Sequence, residues 1–516
     1  MNRLFLGAVP AVAALALVLG ILISPAAAAG SKPLVIAVGA GPQSMDPLAH
    51  DVDSNMSVMD NIFDALLERN TAGQLVPGLA TSWERVDANT WRFKLRRGVK
   101  FHNGNEFTWE DVKFTFERGK DPKVSEFSNF AQLVASVKPA GNDPWTIDIT
   151  TTQPVPYFVQ ALPLFFIMDQ KSTASRSEGE VAQHPIGTGP YKFVEWVKSS
   201  YLKVTANDAY WGGKPKIENV ELRPISEAST RLAAIASGDV DILQDVPVAL
   251  IKAVERNPKV EVVARPARRS IFLAIANKPG TPTADLRVRR AMYMAINEPE
   301  IIAKVMFGHA SPAAQVPDPP TVGYSKAIKR LPYDPAKAKA LLKEAGYANG
   351  FDLTLNGPND RYVQDAQIEA TVAAQLAKVG IRVKVVSEPK AVFFPKVDRH
   401  ELQSYLIGWF DGSYDFGRTY NQLFHTVDPK GGSGGTNGDS YSNPKLDEMY
   451  AATTNIIDPA KREEALQKLN EAAMEQVVVI PLHYQEDDYA IRKDRGIHFT
   501  PRADTWIVYK DISFGS

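Results

Sequence analysis

The chain of 516 residues contains no cysteine. Disulfides, thiolate metal sites and cysteine nucleophiles are excluded at once. So is a tether to a membrane through a lipid-modified cysteine. An exported protein without disulfides depends on a large apolar core, and this length permits one. Excess charge of either sign is also missing. The 58 Lys and Arg stand against 59 Asp and Glu, a formal net charge of −1. Nothing in that balance points to nucleic acid or an anionic membrane surface as partner. Beyond residue 29 no apolar run is long enough to span a bilayer. No internal repeat and no lysine-bearing phosphate loop occurs.

The N-terminus carries a separate signal. Arg3 is the only charge before Gly30, and residues 4–23 are apolar apart from Gly7, Pro10 and Gly20. Ser24-Pro25 then breaks the run, and residues 26–29 are alanines. A positive start, an apolar stretch and a small-residue exit make an export signal. Residues 1–29 are expected to be removed, with cleavage between Ala29 and Gly30. A retained membrane anchor is the alternative, since the run could span a bilayer.

Strand and helix patterns alternate through the rest. Pro33-Leu-Val-Ile-Ala-Val38 reads as a buried strand. Trp91, Phe93 and Leu95 alternate with charged neighbours, as a half-buried strand does. Thr108-Trp-Glu-Asp111 has the spacing of a capping box. Asp334-Pro335, Asn443-Pro444 and Asp458-Pro459 each place a capping side chain before a proline at the first helical position. Two segments, ending at Gly238 and Gly380, run from helix into strand. The fold class is α/β, and the length predicts more than one domain.

Enzyme-like patterns fail on context. Gly431-Gly-Ser433-Gly-Gly435 has the spelling of a nucleophile elbow but lacks the strand before and the helix after. Gly39-Ala-Gly41 lacks the third glycine of a dinucleotide turn, and Pro42 opposes a helix there. His425 and His483 could meet in space, but the histidines are scattered and no metal or other cofactor is expected. Glu463-Glu464 and Asp487-Asp488 read as solvated faces. The stretch from Gly408 to Phe416 stands out. It holds Trp409, Asp411, Tyr414 and Asp415 after a strand-like run, where open α/β sheets bind ligands. It reads equally as core aromatics and a turn.

Taken together, several segments resemble the family 5 extracellular solute-binding proteins, the dipeptide-, oligopeptide- and nickel-binding subunits of bacterial importers. They are Leu79-Ala-Thr-Ser-Trp83, Thr90-Trp-Arg-Phe-Lys-Leu-Arg-Arg-Gly-Val-Lys-Phe-His-Asn-Gly104, Pro185-Ile-Gly-Thr-Gly-Pro-Tyr-Lys-Phe193 and Tyr441-Ser-Asn-Pro-Lys-Leu-Asp447, with others between them in the family's order. The resemblance implies a two-lobed periplasmic binding protein with an extra domain inserted in the first lobe. Lobe one would be residues 30–60, 186–270 and 484–516, the inserted domain 61–185, and lobe two 271–483. It further implies a non-enzymatic monomer that captures a small-molecule or peptide ligand by cleft closure. That monomer would deliver the ligand to the membrane permease subunits of an ABC importer from the periplasm. An exported hydrolase and a membrane-anchored sensor are the competing classes. In the family's peptide binders a tryptophan and an aspartate of the lobe-two loop hold the ligand's amine. Trp409 matches the first. Asp411 is the nearest acid, one residue earlier than that pattern, where Gly412 now stands. Arg361, Tyr362 and Arg399 fall where the family turns side chains to the ligand, and Tyr484 lies at the return crossing between lobes.

Overall fold

Five consecutive buried residues make the strand Leu34–Val38. It pairs in parallel with Asn219–Pro224 on one side and Ile242–Gln244 on the other. A strand buried on both faces is continuously apolar, which is why this one reads without alternation. Thr90–Leu95 shows the other pattern, with Trp91, Phe93 and Leu95 buried. The capping box at Thr108 and Asp111 starts the helix Trp109–Gly119. Asp334, Asn443 and Asp458 each accept a backbone N–H from the first turn of the helix they open. Gly238 terminates the helix Ala228–Ser237 with φ of 87°, a conformation that favours glycine.

This computed structural model describes residues 32–428 and 432–515. From Pro33 onward the described residues form one compact unit. The expected signal segment and Gly431 lie outside them. Among the described residues, no helix is long and apolar enough to cross a membrane.

An eleven-stranded mixed sheet organises the chain. At its centre run two long antiparallel strands, Val260–Ile275 and Val479–Arg492. Ile242–Gln244, Leu34–Val38, Asn219–Pro224, Tyr201–Ala206 and Tyr191–Val197 continue the sheet on one side. Ser404–Trp409, Asp352–Pro358 and Arg382–Glu388 continue it on the other. The register of the central pair shifts between Pro266 and Ser270, opposite Glu486 and Tyr484. A bulge there bends the strands and re-aims the side chains around it.

Two large apolar cores flank this crossing. One contains Leu34, Phe63, Leu222 and Trp506, and the other Ile271, Leu355, Leu406 and Leu482. Residues 80–151 supply a separate four-stranded antiparallel sheet. Its Phe93 and the neighbouring Phe116 nevertheless belong to the same core as Leu34.

Glu369 lies buried in the second half without an ion-pair partner among the described residues. Glu369, on the helix Asp365–Ala377, has no exposed surface, and burial pushes its carboxyl from 4.5 up to about 7. The folded state therefore holds this proton at pH values where the unfolded chain has lost it. The contribution of Glu369 to stability falls as pH rises from about 4.5 through about 7. Glu369→Gln removes that contribution. The variant is expected to match wild type near pH 4 and exceed it by about 1–3 kcal/mol at pH 8. Urea denaturation at the two pH values measures this, and equal stability at pH 8 would contradict it.

Candidate functional site

A cavity of about 1140 Å³ opens beside the crossing strands, between side chains of the two halves of the sheet. Gly39, Asp53 and Asp245 reach it from the first half. Arg361, Tyr362 and Trp409 reach it from the second. The crossing strands contribute Arg269, Gln485 and Asp487. Successive residues of a strand face opposite sides. Gln485 and Asp487 thus meet the cavity, and Tyr484 between core and crossing does not.

The eight residues singled out from the sequence divide into two groups. Arg361, Tyr362 and Trp409 line the cavity. Tyr362 donates its hydroxyl to the carbonyl of Gly408 at 3.2 Å, and the indole N–H of Trp409 donates to Thr419 Oγ1 at 3.0 Å. Trp409 is the last residue of its strand rather than part of the loop beyond it. The other five face elsewhere. Asp411 is buried and accepts hydrogen bonds from the Ser413 backbone and hydroxyl, Thr419 and Arg418. Burial alone would raise its carboxyl, but Arg418 and these hydrogen bonds outweigh that and hold it below the usual range. Oδ1 accepts three of these hydrogen bonds and Oδ2 one, so the carboxylate is engaged within the protein. Asp415 has no exposed surface, caps the helix Phe416–Leu423 and holds Arg462 through both oxygens at 2.6 and 2.9 Å. Tyr414 is buried with its ring between the guanidinium groups of Arg69 and Arg268, 3.6 and 3.2 Å from the centroid. Arg399 is exposed and pairs with Glu401 at 2.6 Å. The cavity-facing charges of that region are instead Lys390 and Asp398. Tyr484 donates its hydroxyl to the carbonyls of Gln315 and Pro317 at 3.0 and 2.7 Å.

Asp487 reverses the expectation for Asp487-Asp488, since both side chains are buried. Burial, reinforced by Asp245 nearby and opposed by Arg269, lifts the Asp487 carboxyl well above its ordinary value. Its Oδ2 has no hydrogen-bond partner among the described residues. Burial raises Asp53, Asp245 and Asp51 as well. One wall of the cavity is therefore a set of desolvated carboxylates, tempered by Arg269 at 3.4 Å from Asp53. The facing wall carries Arg361, Arg418 and Lys390 together with the acids Asp360 and Asp398. Arg361 forms no ion pair among the described residues, and burial, then the like charge of Arg269, lowers its pKa. The sequence pattern missed the acidic wall because its members lie on distant segments. The alternation of the strand after Val479 was the one available signal.

His425 and His483 do not form a metal-ligand group among the described residues. His425 approaches Asp447 at 3.8 Å, and burial lowers His483 to about 4.

Three comparisons bear on this geometry. The glutathione-binding protein GsiB of Pectobacterium atrosepticum is 30% identical over 445 residues, covering 84% of this chain and 85% of that protein. HbpA2 of Haemophilus parasuis superimposes with a TM-score of 0.83 at 23% identity, covering 94% of this chain and 100% of the other. The periplasmic binding protein DppA of Helicobacter pylori, solved with the peptide STSA, superimposes at 0.72 with 24% identity, covering 94% and 98%. These neighbours share the two-lobed binding-protein fold. The family described as bacterial extracellular solute-binding proteins, family 5 Middle, matches residues 74–431. With the match spanning most of the chain and a cleft-like cavity at the crossing strands, this protein belongs to the family 5 extracellular solute-binding proteins, whose members deliver ligands to ABC importers.

Proposed function

We propose that this chain is the periplasmic capture subunit of an ABC importer for short peptides or peptide-like solutes that carry both amine and carboxylate groups. The observation behind this reading is the separation of charge across the cavity. Asp245 and Asp487 offer desolvated carboxylates on one side, and Arg361 offers an unpaired guanidinium on the other. A solute with an ammonium at one end and a carboxylate at the other neutralises both walls at once. Trp409 and Tyr362 supply apolar faces between them. The name of the GsiB relative and the peptide held by the DppA neighbour are consistent with such a solute.

In this reading residues 30–60, 186–270 and 484–516 form lobe one, 61–185 the inserted domain and 271–483 lobe two. The hinge is the bulged crossing at Pro266–Ser270. Solute touches both walls only when they are close, so binding shifts the population toward the closed form. The closed monomer then docks on the permease. Export by the segment 1–29, without a lipid anchor, places the protein free in the periplasm.

Native mass spectrometry of solute that co-purifies tests the proposal, with thermal shifts by reduced glutathione and short peptides. A solute at a hundredfold excess over its dissociation constant adds about 2.7 kcal/mol of stability. Amphoteric probes are expected to stabilise, and a simple diamine or dicarboxylate much less. A neutral sugar as the tightest binder would sink the reading, and turnover of the captured solute would favour a hydrolase.

A further inference from the structure

On the reverse of the crossing strand, away from the cavity, three potential metal ligands converge. Gln485 and Asp487 face the cavity, so Glu486 and Asp488 face the other way. The short strand Ala310–Pro312 pairs on this edge, with Ala310 opposite Gln485, and brings the preceding His309 beside both acids. His309 Nδ1 lies 2.9 Å from Asp488 Oδ1 and 3.9 Å from Glu486 Oε2. One ligand atom from each of the three lies within 4.8 Å of the others. Ligands bound to zinc at about 2.0–2.2 Å in a tetrahedron stand roughly 3.3–3.6 Å apart. Small side-chain adjustments therefore close the set around one ion.

The surroundings suit such an ion. The other oxygen of Glu486, Oε1, accepts a hydrogen bond from Ser311 Oγ at 3.1 Å, as orienting partners of metal ligands do. The Asp488 side chain is 2% exposed, while His309 and Glu486 are 24% and 17% exposed. The set thus has a fixed base and an open side through which an ion and its waters can enter. One protonated imidazole brings a single positive charge to two carboxylates, whereas a divalent ion neutralises both. An imidazole nitrogen with two carboxylates favours zinc-like first-row ions over magnesium or calcium, which prefer oxygen ligands alone.

We propose that His309, Glu486 and Asp488 form a site for one divalent transition-metal ion of the zinc class, completed by solvent. The ion pins the segment at Ala310 to the strand whose other face carries Asp487. Calorimetric titration of the tag-free, metal-stripped protein with zinc chloride tests this, with magnesium chloride alongside. About one zinc per chain is expected, with a raised melting temperature and no comparable magnesium binding. His309→Ala and Asp488→Asn should each weaken zinc binding at least tenfold while far-UV circular dichroism is unchanged. Glu486→Gln, at a more exposed position, serves as a second ligand variant should Asp488→Asn fail to fold. Absence of saturable zinc binding would overturn the proposal. So would wild-type affinity in both His309→Ala and Glu486→Gln, since the ion would then sit elsewhere.

Discussion

Arg268→Met is expected to cost about 3–5 kcal/mol of folding stability. The Arg268 side chain is 2% exposed and grips Asp318, 8% exposed, through two hydrogen bonds of 2.8 and 2.6 Å. The same guanidinium donates to Thr321 Oγ1 and to the carbonyl of Asp411, and lies against the ring of Tyr414. It therefore ties the bulge of the crossing strand to two loops of the second half. Methionine keeps much of the length but leaves Asp318 buried and unpaired. The penalty comes mainly from that stranded charge rather than from lost packing. Asp318→Asn should cost less, because the amide still accepts hydrogen bonds and leaves a cation that Asp411 and Tyr414 partly surround. Arg268→Met combined with Asp318→Leu should cost less than the sum of the single changes, since no charge is left behind. Urea denaturation of wild type, Arg268→Met, Asp318→Leu and the double variant measures the cycle, with Asp318→Asn alongside. A loss under about 1 kcal/mol for Arg268→Met would mean that water reaches the pair in solution.

Arg361→Ala should weaken solute binding by about 2–5 kcal/mol, roughly 30-fold to several thousandfold, if the amphoteric reading is correct. The guanidinium lines the cavity and makes no ion pair among the described residues. Removing it strands no partner, so stability should change little or rise slightly. That combination separates a binding residue from a structural one. Arg361→Lys keeps the charge but not the planar fork, and should recover only part of the affinity. Calorimetry with the co-purifying solute, or with reduced glutathione as a probe, gives the affinities. Unchanged binding in Arg361→Ala would place the solute's carboxylate at Arg418 or Lys390 instead. A folding loss comparable to that of Arg268→Met would make Arg361 structural.

The family resemblance singled out Arg361, but that Arg268 is paired and Arg361 is not could not be read from the sequence. Each sits in an unremarkable polar stretch, Ala267-Arg-Arg-Ser270 and Asn359-Asp-Arg-Tyr362. What separates them is the presence of Asp318 beside one and its absence beside the other, a matter of contacts 50 residues apart. The loop from Gly408 to Phe416 teaches the same lesson. Its composition suggested a ligand wall with an acid, and Trp409 does reach the cavity. The acids beside it turn inward because local donors, Ser413, Thr419 and the helix start at Gly417, satisfy them.

Local physics was legible throughout. Aspartate before proline opened helices at 334 and 458 because the side chain caps a turn whose first N–H groups have no partner. Alternation at Trp91, Phe93 and Leu95 gave a half-buried strand because successive residues must face opposite sides. The ordered set of motifs identified the family without any contact map. The sequence by itself thus determined the elements, the α/β class and the kinship, all of which rest on near neighbours in the chain or on motif order. Only the tertiary structure decided which charges face the cavity. Asp53, Asp245, Arg269, Arg361 and Asp487 come from five separate segments and meet at one crossing. Whether each is buried, paired or left facing the cavity depends on which strand lies opposite, and strand pairing over hundreds of residues leaves no mark on the residues either side.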